Sequence, residues 1–205
     1  YYSDGVFSPT EVVRLADEAD CDLFALTDHD TTDGLAEAQQ MADELSVNLV
    51  SGVEISALWR NMTIHIVGLG IDINNDILQK GLNYNQRLRE ERAEKIALGL
   101  RRAGITDALE KTQELSKTDM ITRTHFAQML IREGYCKDMK SVFRRFLTGK
   151  KPGASRVEWR SFDEVVGWIH AAGGLAVIAH PFRYRMTQTK IKNMLIDFKE
   201  ILGDG

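Results

Sequence analysis

The chain has little of what secreted, membrane-spanning or nucleic-acid-coating proteins depend on. Its 205 residues include two cysteines, Cys21 and Cys136, far apart and without Cys-x-x-Cys spacing. Reduced thiols in a reducing cytoplasm are therefore expected, and a disulfide scaffold is not. There is no run of about 18 apolar residues and no signal-peptide pattern, so no membrane partner is expected. Positive charge is not in excess: 26 Lys and Arg face 30 Asp and Glu, a net charge of −4. That argues against a general cationic coat for nucleic acid and leaves only local basic patches. Repeats and low-complexity segments are absent. What is present is an ordinary globular composition, 43% apolar and 27% charged. The length suits one good core with an inserted subdomain.

Local signals give an α/β order. Ser8-Pro9-Thr10-Glu11 reads as a capping box with Pro at the first helical position. Leu23–Leu26 reads as a buried strand. Asp33 is the expected cap of a helix in which Leu35, Ala38, Met41, Ala42 and Leu45 recur at helical spacing. Asn48–Val53 and Thr63–Leu69 read as two more strands, and strand-loop-helix-strand is a parallel α/β signature. From Asn74 to Arg102 the chain turns charged and helix-favouring, with Gly104 as a C-terminal cap. Helical segments follow around 107–116, 124–133 and 139–147, with no strand-like alternation between them. The division expected is an α/β core over 1–70 and 155–205, with an all-helical insertion over 71–154. A helix at Phe162–Ala172, a strand at Leu175–Ala179 and a helix from about Thr187 to Leu202 complete the core.

Polar groups collect at or near the ends of the strand-like runs. They occur in Ser3-Asp4-Gly5, Thr27-Asp28-His29-Asp30, Gly52-Val53-Glu54-Ile55-Ser56, Ile64-His65-Ile66-Val67-Gly68 and Ala179-His180-Pro181. In α/β folds that rim is where catalytic groups gather. Imidazole and carboxylate without thiolate suit Mn²⁺, Fe²⁺ or Zn²⁺ better than a structural zinc site. Each group alone has a plainer role: a turn former for Asp4, a loop cap for His29, an exposed acid for Glu54, an ordinary strand histidine for His65, a loop residue for His180. Asp28 and Asp30 are either hydrogen-bonded supports of a ligand imidazole or loop caps.

Taken in order, these five motifs resemble the polymerase and histidinol phosphatase (PHP) family of metal-dependent phosphoesterases, over nearly the whole chain. The similarity is greatest to the branch acting on nucleoside 3′,5′-bisphosphates and RNA 5′ ends. It implies a distorted (βα)7-type barrel with a helical cap. The implied metal ligands are Asp4, His29, Glu54, His65 and His180, with Glu54 bridging, for two or three Mn²⁺ (Fe²⁺ or Zn²⁺ as alternatives). Thr122-Arg123-Thr124-His125-Phe126-Ala127 resembles that branch's Arg-x-His-Phe-Ala motif, whose residues face the substrate phosphate. It implies phosphate binding by Arg123 and His125, with His125 also a catalytic candidate for leaving-group protonation beside Glu54. Arg183 and Tyr184, after His180-Pro181, are further candidates for phosphate or base contact. Lys140, Arg144, Arg145, Lys150, Lys151, Arg156 and Arg160 form a stretch that either tracks an RNA backbone or is a solvated face.

The implied function is hydrolysis of nucleotide phosphate esters by metal-activated hydroxide. A nucleotide or short RNA is the expected partner, and no obligate protein partner is evident. The alternatives are a small-metabolite phosphatase of the histidinol-phosphatase kind and a non-catalytic nucleic-acid-binding module. The family's opening His-x-His and closing Gly-x-Asp-x-His are not matched by Tyr1-Tyr2 or Asp204-Gly205, and a trimmed longer protein is the expected reason.

Overall fold

The computed structural model describes residues 2–116, 118 and 120–205. The first helix, α1 (Pro9–Glu18), starts as its residues dictate. Ser8 Oγ accepts from the Glu11 amide while the Glu11 carboxylate accepts from the Ser8 amide. Val13 of α1 is buried with Ala38 and Ala42 of α2 (Leu35–Leu45). The expected Asp33 cap is not made. Gly34 holds the N-cap position without a side-chain bond, and the Asp33 amide donates to Thr31 Oγ1. The Leu35 amide bonds the Thr32 carbonyl, so a turn built on Thr31 and Thr32 leads into the helix instead.

Strands β1 (Phe24–Leu26), β2 (Leu49–Trp59), β3 (Met62–Leu69) and β4 (Leu175–Ile178) form one sheet in the order β1-β2-β3-β4. The parallel expectation holds only for β1 with β2; β2–β3 and β3–β4 are antiparallel. The cause is a hairpin. Strand β2 runs past Val53 to Trp59, because Val53, Ile55, Ala57 and Trp59 alternate into the core. It then turns at Arg60 and Asn61, both at positive φ (46° and 72°). This two-residue turn matches the twist of the flanking strands. Ile55, Ile64 and Ile66 are fully buried, each stabilising the fold by roughly 1.5–3 kcal/mol.

Helix α3 (Asp76–Arg102) is capped by Asn75, whose Oδ1 accepts from the Ile77 and Leu78 amides. Leu78 and Leu82 join the sheet core with Ile169 of α7 (Phe162–Ala171). Ile96 and Leu100 belong to a second core with Phe126, Met129, Leu130 and Leu147. The chain accordingly divides into two compact units, Gly5–Asn85 with Trp159–Gly205, and Tyr2–Asp4 with Gln86–Glu158. The second unit is helical: α4 (Ala108–Leu115), α5 (Arg123–Arg132) and α6 (Met139–Val142), which runs into a π-turn at 143–147. A short 3₁₀ turn (Pro181–Arg183) and α8 (Gln188–Glu200) complete the first unit. Among the described residues, no helix is long and apolar enough to cross a membrane.

Candidate metal centre

Strand alternation puts the site's side chains on one face. Val53 and Ile55 flank Glu54, Ile64 and Ile66 flank His65, and all four neighbours are fully buried. Ser56 pairs with His65 in the hairpin register, which leaves Glu54 diagonal to His65. Glu54 Oε1 lies 2.8 Å from His65 Nδ1 and 3.1 Å from His180 Nε2. The β1–β2 pairing resumes beyond β1: the Glu54 amide donates to the Asp28 carbonyl and the Asp30 amide to the Glu54 carbonyl, so His29 bridges Glu54. The rings of His29 and His65 meet edge-on at 4.8 Å, and those of His65 and His180 at 5.4 Å. Ligand atoms of His29, Glu54 and His65 all lie within 4.8 Å of one another.

Three supports hold this arrangement. Asp30, fully buried at φ 52°, accepts on Oδ1 from the Ser56 amide and from Asn85 Nδ2, each at 2.8 Å. Asn85 also donates to the Ser56 carbonyl at 2.9 Å, so the His29 loop is tied to β2 beside Glu54. On the other side the Tyr184 hydroxyl accepts from the His65 amide at 2.7 Å, and the Ala179 amide donates to the His65 carbonyl. Burial, with the Glu54 charge added, raises the Tyr184 pKa to about 12 and keeps it neutral. His180 sits at φ 34°, where a non-glycine residue is strained, and its carbonyl accepts from the Arg183 amide.

Electrostatics favour a cation. Burial alone would raise the Glu54 pKa. The His65 contact and the charges of His29, His65 and His180 outweigh it and hold the carboxylate at about 2. The buried His65 Nδ1 stands 2.8 Å from the Glu54 oxygen yet out of line for a hydrogen bond. A nitrogen and an oxygen at that spacing can both face one cation. The nitrogen and oxygen donor set fits divalent Mn, Fe or Zn.

No family model matches the chain. It is 45% identical over 204 residues to a 3′,5′-nucleoside bisphosphate phosphatase of Chromobacterium violaceum, covering 99% of this chain and 72% of that one. It is 40% identical over 203 residues to a 5′-3′ exoribonuclease of Haemophilus influenzae, covering 99% and 74%. The chain belongs to the PHP phosphoesterases. Among solved structures, an amidohydrolase of C. violaceum with bound sulfate and no metal superimposes at a TM-score of 0.95, with 45% identity over 99% of this chain and 72% of that one. A metal-dependent phosphoesterase of Bifidobacterium adolescentis superimposes at 0.85, with 25% identity over 96% and 71%. The relatives are hydrolases of phosphate esters, and this PHP chain is an enzyme of that class.

The other residues implicated by the motifs are placed within their own units. Asp4 belongs to the helical unit, where it accepts from Thr124 Oγ1 at 3.0 Å. In the same unit Arg123 opens α5, with its guanidinium 5.7 Å from the Phe143 ring centroid. His125 is buried as the partner in a capping box: its Nδ1 accepts from the Thr122 amide, and its own amide donates to Thr122 Oγ1. Burial lowers the His125 pKa, against opposing effects of the Asp4 charge and a bond to the Met120 carbonyl. Arg183 is exposed on the 3₁₀ turn after His180. In the basic stretch, Arg145 bonds the Tyr135 carbonyl and Arg160 lies over Tyr84, so both serve local packing. Sequence reasoning missed Asn85, an unremarked polar residue in a charged helix, and read Tyr184 as a candidate phosphate or base contact without seeing that its hydroxyl bonds the β3 backbone at His65.

Proposed function

We propose that the PHP chain hydrolyses nucleotide phosphate esters, converting nucleoside 3′,5′-bisphosphates to 5′-monophosphates and trimming short RNA from the 5′ end. The observation that carries this reading is one carboxylate oxygen, Glu54 Oε1, held between His65 and His180 with His29 alongside. The names of the two relatives supply the substrate class. His29, Glu54, His65 and His180 would hold divalent cations, Mn²⁺ first and two or three in number, with Asp4 assigned as a further ligand by resemblance. Bound cations neutralise charge on phosphoryl oxygens and lower the pKa of the attacking water.

The chain's own residues do the rest. Tyr184 and the Asp30–Asn85 pair fix the His65 and His29 backbones, so the ligands are set before substrate arrives. Arg123 offers a planar fork to phosphate oxygens at the α5 N-terminus, where helix amides add attraction. Since both sides of the His125 ring are engaged, we read His125 as the cap that positions Arg123 in preference to a proton donor. Arg183, exposed beside His180, is the second phosphate contact. The four-stranded sheet is read as part of a distorted (βα)7 barrel, and the two free cysteines suit a cytoplasmic protein.

The test is Mn²⁺-dependent phosphate release from adenosine 3′,5′-bisphosphate. Release that disappears in Glu54→Gln supports the reading. No release by the wild type, with RNA affinity retained, points to a binding module instead.

A further inference from the structure

The basic stretch late in the helical unit takes no part in the metal centre. Between 137 and 151 it holds six bases, Lys137, Lys140, Arg144, Arg145, Lys150 and Lys151, and one acid, Asp138, in a chain whose net charge is −4. All six bases are exposed. Asp138 is engaged as the α6 cap, accepting from the Ser141 amide at 2.7 Å. Among the described residues, no carboxylate forms an ion pair with any of the six, whereas Lys95 meets Glu91, Lys111 meets Glu133 and Arg60 meets Asp197. Surface charges of both signs are ordinarily interspersed. A face of one sign concentrates the field that draws in a polyanion.

Local bonds hold this face in shape. The chain at 143–147 forms a π-turn, a conformation frequent at functional sites. Arg145 is its brace: Nη1 donates to the Tyr135 carbonyl at 2.9 Å, and the guanidinium lies 5.2 Å from the Phe146 ring centroid. The Tyr135 and Phe146 rings meet edge-on at 6.5 Å, and Tyr135 stays 39% exposed. Thr148 Oγ1 donates to the Phe143 carbonyl, and the Gly153 amide donates to the Phe146 carbonyl, which closes the loop carrying Lys150 and Lys151 onto the turn. Phe143 lies 5.7 Å from the Arg123 guanidinium, so the face adjoins the α5 N-terminus. Charges carried on two segments suit a run of phosphates better than a single group. An exposed ring among them offers a base a stacking surface, which a lipid headgroup would not use.

We propose that Lys137, Lys140, Arg144, Lys150 and Lys151, with the Tyr135 ring, form a binding surface for the backbone of single-stranded RNA. The choice of RNA rests on the phosphoesterase reading above; the polyanion surface itself does not. Fluorescence anisotropy of the full chain in chelator tests it without turnover, using a labelled oligouridylate of about 12 nucleotides at successive salt concentrations. Each phosphate contact on a single strand contributes about 0.7 to the slope of log affinity against log salt. Lys140→Gln/Arg144→Gln and Lys150→Gln/Lys151→Gln should each flatten that slope by about 1.4 and weaken binding roughly tenfold or more. Tyr135→Leu should weaken binding roughly fivefold or more and leave the slope unchanged. Lys192→Gln/Lys199→Gln, which removes two exposed charges from α8, should change neither quantity. All are surface changes, and thermal melts should show every variant folded.

A wild type that binds no RNA, or two double variants with wild-type affinity and slope, overturns the surface. Binding of phosphatidylserine vesicles in place of RNA overturns it too, and assigns the face to a membrane. Phosphate release from adenosine 3′,5′-bisphosphate, assayed separately with Mn²⁺, keeps the two readings apart. Release by a chain whose RNA affinity survives both double variants keeps the phosphoesterase and removes the surface. A chain that releases no phosphate, yet loses RNA affinity in both double variants, keeps the surface and removes the phosphoesterase.

Discussion

The two units of this chain carry opposite electrostatic tensions. In the sheet unit one carboxylate, Glu54, is held anionic among three imidazoles whose nitrogens crowd together. In the helical unit three guanidiniums crowd together, and two of them lack a carboxylate among the described residues. The first arrangement favours a cation, while the second crowds like charges. The difference teaches that a functional site is often visible as an interaction the protein leaves unfinished, and that the sign of the excess charge names the class of ligand.

Breaking the supports of the sheet site should have the larger effect. Asn85→Ala removes two hydrogen bonds beside Glu54. Losing such supports typically weakens metal binding or activity about 10- to 100-fold, and leaving buried acceptors unpaired costs about 1–3 kcal/mol. Metal titration and denaturant unfolding would read the two effects separately. Wild-type metal affinity in Asn85→Ala would show that the Asp30 loop is not what places His29.

The Glu54 pKa sharpens the comparison. Its ordinary value is 4.5, and in the fold it is about 2. A depressed carboxylate contributes stability that is fully present above pH 4.5 and is lost as pH falls through 2. Metal-free wild type should therefore lose stability relative to Glu54→Gln when melted at successive pH values from 5 to 2. Parallel curves would mean that the imidazoles do not hold the carboxylate. A smaller change is Tyr184→Phe, which removes the acceptor of the His65 amide. It should cost about 1–3 kcal/mol and reduce turnover through the placement of His65. Smallest is Ser8→Ala, which removes the α1 cap at about 1 kcal/mol and should leave metal affinity unchanged.

What the sequence disclosed, and what it hid, follows from the range of the interactions. The α1 capping box was legible because Ser8, Pro9 and Glu11 act within one turn. Glu54, His65 and His180 were legible as ordered motifs on strand-like runs. The β2–β3 hairpin was missed because Arg60-Asn61 carries no glycine to announce a turn at positive φ. The Asp33 cap failed because Thr31 and Thr32 offered a competing local turn. Asn85 pairs with Asp30 across 55 positions, and nothing local in a charged helix marks such a partner. The Arg92–Arg123 proximity is likewise a product of helix packing, invisible until α3 and α5 share a core.

The central claim is that Glu54 and the three histidines around it form a cation site. Calorimetric titration of Mn²⁺ into chelator-stripped, dialysed wild type and Glu54→Gln tests it most directly. The account predicts saturable binding by the wild type and a loss in Glu54→Gln beyond the roughly 10- to 100-fold expected for removing a mere support, with the variant still folded. Equal Mn²⁺ affinity in the two proteins would contradict it.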